Sequence, residues 1–238
     1  QVEGRTYTVG GMAKGSGMIA PDMATMLGVL TTDAPLTSEA CSAALCDAVR
    51  TTFNRVTVDS DTSTNDTVVL LASGAAGGDP ITPSDEAYPA VAQAVRLVSE
   101  KLASMLARDG EGATKLVTVT VTGACSEADA EKAARAIADS PLVKTALFGR
   151  DANWGRVAMA AGKSGAEMDP ARLAITFAGI EVCRAGGAVP FDEAEALEAL
   201  SADEVSIEVD LGVGEARATF LTCDLTYEYV RINGEYRS

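Results

Sequence analysis

The 238-residue chain contains no histidine. That absence removes the Ser-His-Asp triad, the Cys-His dyad, HExxH zinc sites and every His-ligated metal together. Catalysis near neutral pH must therefore take its base from another group. Cationic side chains are scarce as well: 19 Lys and Arg stand against 34 Asp and Glu, a formal charge of −15. A sequence-independent grip on nucleic acid needs Lys and Arg to displace counterions from phosphates, and docking to an anionic lipid surface needs the same charges. Neither nucleic acid nor membrane is an expected partner. Cys41, Cys46, Cys125, Cys183 and Cys223 are odd in number and scattered, with no CxxC pair. They lack the grouping of a disulfide framework or a zinc site and read as mostly buried small hydrophobes in a reducing cytoplasm. No apolar run reaches the length of a membrane span, and signal-peptide anatomy is missing. The chain opens at Gln1 rather than Met, so it reads as part of something longer.

What is present is a globular composition, 47% hydrophobic and 22% charged, which excludes a disordered chain. Residues 5–9 read as a short strand entering the glycine-rich stretch 10–17, and 26–32 as a buried strand. Over 37–53, Cys41, Leu45, Val49 and Phe53 recur every four positions, one face of a helix with Thr37 as N-cap. Residues 56–58 and 68–72 are strand-like around the polar loop 59–66, and 83–108 carry the longest helical pattern, ended by Asp109-Gly110. Val and Thr alternate over 116–122, a strand. Ser126 precedes Asp129 by three positions and starts a helix through Ile137. Further strands are expected at 143–148, 173–177 and 181–184, and helices at 154–162 and 192–200. Residues 204–211 and 215–221 alternate around Gly212-Val213-Gly214 as an antiparallel hairpin. The expected class is α/β, with layered sheets covered by helices and a division near residue 115.

Three motif matches fail on physical grounds. Gly15, Gly17 and Ala20 fit a loose dinucleotide fingerprint, but Pro21 follows where a helix should open. Residues 110–115 resemble a P-loop tail without its upstream glycine or the Gly-Lys-Ser/Thr order. The acidic loop from Asp59 begins like a calcium loop, yet Thr64 stands at the turn-glycine position and Leu70 at the bidentate-Glu position; Asx-turn chemistry explains it better. No metal or cofactor is expected.

The stretch 14–33 carries more. Ala24-Thr25 sets a hydroxyl between a proline-glycine loop and an apolar strand. A threonine hydroxyl needs a base, and a threonine made N-terminal by backbone cleavage carries its own. An α-amino group has a pKa of about 7.7–8, whereas an ordinary Lys would have to shift by roughly 3 units, on the order of 4 kcal/mol, to do the same work. The plain alternative is that Thr25 is only a β-former at a strand start.

Residues 14–33 resemble the self-cleavage signature of the ornithine acetyltransferase family, the bifunctional glutamate N-acetyltransferases of arginine biosynthesis. The resemblance continues in family order through 57–67, 109–115, 140–146, 151–158 and 229–238, and so spans essentially the whole chain. It implies the ornithine acetyltransferase fold, αββα-like and of N-terminal-nucleophile type. It also implies a cytoplasmic precursor cut between Ala24 and Thr25 into chains that stay associated as α2β2 or a higher assembly. On that division 1–24 end the α chain, 25–115 form the nucleophile part of the β chain, and 116–238 its second α/β part.

Thr25 would then attack N2-acetyl-L-ornithine, release ornithine, and pass its acetyl group to L-glutamate; in bifunctional members acetyl-CoA also loads the enzyme. Lys14, Thr25, Glu111, Asn233 and the C-terminal Ser238 match substrate-contacting positions. Glu111 suits a substrate ammonium, Lys14 a carboxylate and Asn233 the amino-acid end, while the Ser238 carboxylate suits a second ammonium. The family's oxyanion hole, a Thr-Gly pair, belongs to the portion ahead of residue 1. Asp59, Asp61 and Asp66 are read as scaffolding near the site. The bland reading makes Lys14 and Glu111 solvated charges and Ser238 a loose terminus. Two rival functions are a self-cleaving amidase or aminopeptidase, and a non-catalytic amino-acid-binding relative.

Overall fold

The structure is a computed structural model that describes residues 4–18, 26–62 and 65–236. The chain divides into two compact units, the first comprising 1–56 and 60–106, the second 57–59 and 107–238.

In the first unit, β1 (Val9–Lys14) pairs antiparallel with β2 (Leu27–Thr32), and β2 pairs parallel with β3 (Thr67–Ala72). Two neighbouring parallel strands need a crossover, which α1 (Ser38–Thr51) supplies. Thr37 caps α1 by accepting from the Ala40 N–H. The helix buries Ala40, Ala44 and Ala48 rather than the Cys41–Leu45–Val49 face expected from its larger side chains; alanines allow the closer approach. The glycine-rich stretch is largely strand, because β1 begins at Val9 where the sequence pattern ends one. A Cβ on Gly11 would lie 2.7 Å from Leu30 Cδ2 and 3.0 Å from Leu102 Cδ1, so a side chain there would push those leucine ends aside. The long helix α2 (Tyr88–Arg108) starts five residues later than expected, since Asp85 accepts from the Thr82 N–H and hydroxyl and holds the preceding residues in a turn.

The second unit is a six-stranded mixed sheet built on β4 (Leu116–Ala124), whose Val117, Val119 and Val121 are fully buried. Helices α3 (Glu127–Ala138), α4 (Pro141–Phe148) and α5 (Trp154–Gly162) follow, and α3 packs on the sheet. Ser126 caps α3 as expected. Residues 141–148 are helix, not strand: Ser140 caps the first turn and Pro141 opens it, and a short apolar run does not distinguish the two by itself. Then come β5 (Ala174–Phe177), β6 (Ile180–Arg184), β7 (Gly187–Ala188), α6 (Glu193–Ala199), β8 (Glu204–Asp210), β9 (Ala216–Cys223) and α7 (Tyr227–Glu235).

The strand order is β7-β6-β5-β8-β4-β9. The expected hairpin is therefore absent: β8 and β9 do not pair with each other but flank β4, β8 parallel to it and β9 antiparallel. Their connection crosses the end of β4, where the Val213 and Gly214 N–H groups both donate to the Gly123 carbonyl. Residues 56–58 form no strand of their own; Thr57 donates its N–H to Leu221 at 2.9 Å and so joins the second unit. Among the described residues, no helix is long and apolar enough to cross a membrane.

Candidate functional site

Ala24 and Thr25 lie outside the described residues, and so does Ser238. The residue that follows Thr25 is described, and it is anchored from two directions. Met26 donates its N–H to Asp66 Oδ1 and accepts from the Thr67 N–H at 3.0 Å. The parallel pairing of β2 with β3 begins there, Leu27 opposite Thr67. Lys14, the last residue of β1, stands opposite Leu27 on the other side. Opposing forces act on the Asp66 carboxyl. Burial pushes it above the ordinary aspartate value, against the Met26 N–H bond and the Lys14 charge, which pull it down. Its Oδ2 is buried and has no hydrogen-bond partner among the described residues.

Glu111 and Asn233 belong to the second unit, and the structure brings them together from 122 positions apart: Asn233 Nδ2 donates to Glu111 Oε2 at 2.9 Å and to the Tyr229 carbonyl at 3.1 Å. Two latches fix the Glu111 loop. Asp224, buried after β9, accepts from the Thr114 and Lys115 N–H groups at 2.8 and 3.0 Å and from the Thr114 hydroxyl. Thr226 caps α7 and donates its hydroxyl to the Gly112 carbonyl at 2.7 Å. Gly112 itself has φ +69°, and a Cβ there would lie 2.5 Å from the Tyr229 nitrogen. The loop thus packs backbone to backbone against the first turn of α7, the helix that bears Asn233.

Sequence reasoning missed Asp224 and Thr226. Thr226 carries a readable signal, a capping residue ahead of Tyr227-Glu228. For Asp224 no local pattern exists, because its partners lie about 110 positions away. Of the expected site residues, then, Glu111 and Asn233 are in contact, and Lys14 stands beside the anchored start of β2 in the first unit.

The ArgJ family model matches residues 1–238. The chain is similar to the arginine biosynthesis bifunctional protein ArgJ of Symbiobacterium thermophilum, 53% identical over 238 residues, covering 100% of this chain and 59% of that protein. It is similar to the protein of the same name from Bradyrhizobium diazoefficiens, 54% identical over 236 residues, 97% of this chain and 57% of the relative. A mitochondrial ArgJ of Schizosaccharomyces pombe is 48% identical, with 100% of this chain and 55% of the relative covered. The chain therefore spans under three-fifths of the length of these curated relatives. A crystal structure of the arginine biosynthesis bifunctional protein ArgJ from Bacillus halodurans superposes with a TM-score of 0.84 at 44% identity, over 88% of this chain and 98% of that one.

Proposed function

The chain belongs to the ArgJ family, and from that premise we propose that it is the C-terminal part of a glutamate N-acetyltransferase working through an N-terminal threonine. The precursor cuts itself between Ala24 and Thr25. Residues 1–24 then end the α chain, 25–115 form the nucleophile part of the β chain, and 116–238 form its second α/β part. The two chains stay together, as α2β2 or a larger assembly, in the cytoplasm.

In the mature enzyme the Thr25 amine takes the proton of the Thr25 hydroxyl as the oxygen attacks the acetyl carbonyl of N2-acetyl-L-ornithine. The proton passes to the departing nitrogen, ornithine leaves, and the amine of L-glutamate collects the acetyl group from the threonine ester. Acetyl-CoA loading the same hydroxyl is our reading of the second activity. Lys14 faces a substrate carboxylate and the Ser238 carboxylate an ammonium. Glu111, with Oε2 occupied by Asn233, keeps Oε1 for a second ammonium.

The observation that carries this reading is the anchored strand start directly after Thr25, in a chain that belongs to the ArgJ family. Mass spectrometry of protein from the full-length gene tests it. A break before Thr25 is expected, and Thr25→Ala is expected to leave a single chain without acetyl transfer from acetylornithine to glutamate. An uncut, fully active chain refutes the mechanism. Turnover of short peptide amides in place of acetylornithine would instead assign the site to an aminopeptidase.

A further inference from the structure

We propose that Lys144 is a positioning residue for the Glu111 carboxylate, gripping the chain on both sides of Asp224. This rests on the reading of Glu111 as a substrate contact given above, and it names what holds that group in place.

A lysine in the interior calls for a reason. Lys144, on α4, is 3% exposed. Taking an ammonium out of water is costly, and lysines are almost never fully buried unless they are paired. Among the described residues no carboxylate bonds to this one; Asp139 feels its charge without a bond. Its N–H groups go instead to neutral acceptors: the Thr222 hydroxyl at 2.9 Å, the Cys223 carbonyl and the Cys223 sulfur at 3.5 Å. A methionine would fill the same space without an ammonium to desolvate, so packing does not account for the charge.

The partners do account for it. β9 ends at Cys223, and Asp224 follows with no place in the strand. Lys144 Nζ holds the carbonyl of the residue before Asp224. The Lys144 carbonyl accepts the N–H of the residue after it, Leu225, at 3.2 Å. One residue of α4 thus fixes both flanks of Asp224, and α4 is itself set in the core through Val143 and Leu147. From that fixed backbone the Asp224 carboxylate reaches the N–H groups of Thr114 and Lys115 at 2.8 and 3.0 Å. The other end of the loop rests on the same place, since a Cβ on Gly110 would lie 3.1 Å from the Cys223 sulfur. Glu111 sits between these two supports, its Oε2 on Asn233. A charged donor makes a stronger bond to the Cys223 carbonyl than a neutral one would, which leaves the support less play.

The test measures acetyl transfer from acetylornithine to saturating glutamate by the full-length enzyme, for wild type, Lys144→Met, Glu111→Gln and the two changes together. Lys144→Met should fold, by circular dichroism. It should raise KM for acetylornithine about 5- to 20-fold and alter kcat less than about 3-fold, since Glu111 meets a part of the substrate that does not react. With Glu111→Gln already present, the same change should raise KM less than about 2-fold, because the carboxylate through which it acts is gone. Lys144→Gln keeps an N–H but ends about one bond short of its acceptors. It should raise KM in the same direction, and it carries the cycle if the methionine variant does not fold. An unchanged KM in the variant that folds overturns the proposal. So does a fall in kcat alone, or a KM rise of equal size with and without the Glu111 carboxylate, which would mark a general loosening. Failure of both variants to fold makes Lys144 a structural residue and overturns it too. Wild-type enzyme that transfers no acetyl group, or Glu111→Gln with the wild-type KM, sinks instead the reading on which the proposal rests.

Discussion

Replacing Asp224 tests how the Glu111 loop is held. The side chain is 3% exposed and accepts three hydrogen bonds, from the N–H groups of Thr114 and Lys115 and from the Thr114 hydroxyl. Asp224→Ala strands all three donors. Lys115 is buried, so its N–H bears the loss of a bond to a charged acceptor, about 1.5–3 kcal/mol. Thr114 is exposed and water replaces part of what it loses, leaving about 0.5–1.5 kcal/mol. The expected cost is about 2–4 kcal/mol, which lowers the urea midpoint by roughly 1–2 M at the usual denaturant slopes. Asp224→Asn retains a carbonyl for both N–H groups and should cost about 1 kcal/mol. Because Thr114 lies three residues from Glu111, the alanine variant should also raise KM for acetylornithine more than it lowers kcat. Urea unfolding of the full-length protein, followed by far-UV circular dichroism, reads the stability; initial rates read the second effect. The reasoning fails if Ala and Asn are equally destabilising, or if Ala lies within about 0.5 kcal/mol of wild type.

Asp139→Asn tests a pH effect. Burial holds this carboxyl above its ordinary value, outweighing the Thr57 hydroxyl bond and the Arg135 and Lys144 charges, while Asp59 adds to the rise. The folded state therefore binds this proton more readily than the unfolded one, and stability falls as pH climbs from the unfolded to the folded value. Asparagine keeps an acceptor for Thr57 and removes that cost. The variant should be the more stable at neutral pH, its advantage vanishing below the unfolded value of about 3.9; an advantage independent of pH would contradict the assignment. Gly112→Ala puts a Cβ 2.5 Å from the Tyr229 nitrogen at φ +69°. It should destabilise by about 1–3 kcal/mol and raise KM by separating Glu111 from Asn233, as thermal unfolding and steady-state kinetics would show.

Local chemistry is legible in the amino-acid sequence. Thr37, Ser126 and Asp192 read as helix starts, and each accepts an N–H of its own first turn. Long-range pairing is not legible there. The alternation of β8 and β9 is real, but their partner β4 lies about 90 to 105 residues earlier and no nearby residue announces it. The run at 143–148 sets Val143, Ala146, Leu147 and Phe148 around Lys144 and Thr145 without a clear helical or strand period, so only Ser140-Pro141 betrays a helix. Around the site, motif order singles out Lys14, Thr25, Glu111 and Asn233 one by one. It does not tell that Asn233 Nδ2 binds Glu111, since that contact depends on where α7 folds back. Asp66 reads as loop scaffold because its bond to Met26 closes a 40-residue interval.

The placement of β4 between β8 and β9 sets a timetable for synthesis. Once Ala124 is made, a strand bearing Val117, Val119 and Val121 exists with both rims open, and the second rim closes only with Cys223. About 100 further residues must be translated in between, roughly 5–20 s at ordinary elongation rates. Throughout that interval the nascent chain exposes an unpaired, β-branched template to its neighbours on the polysome.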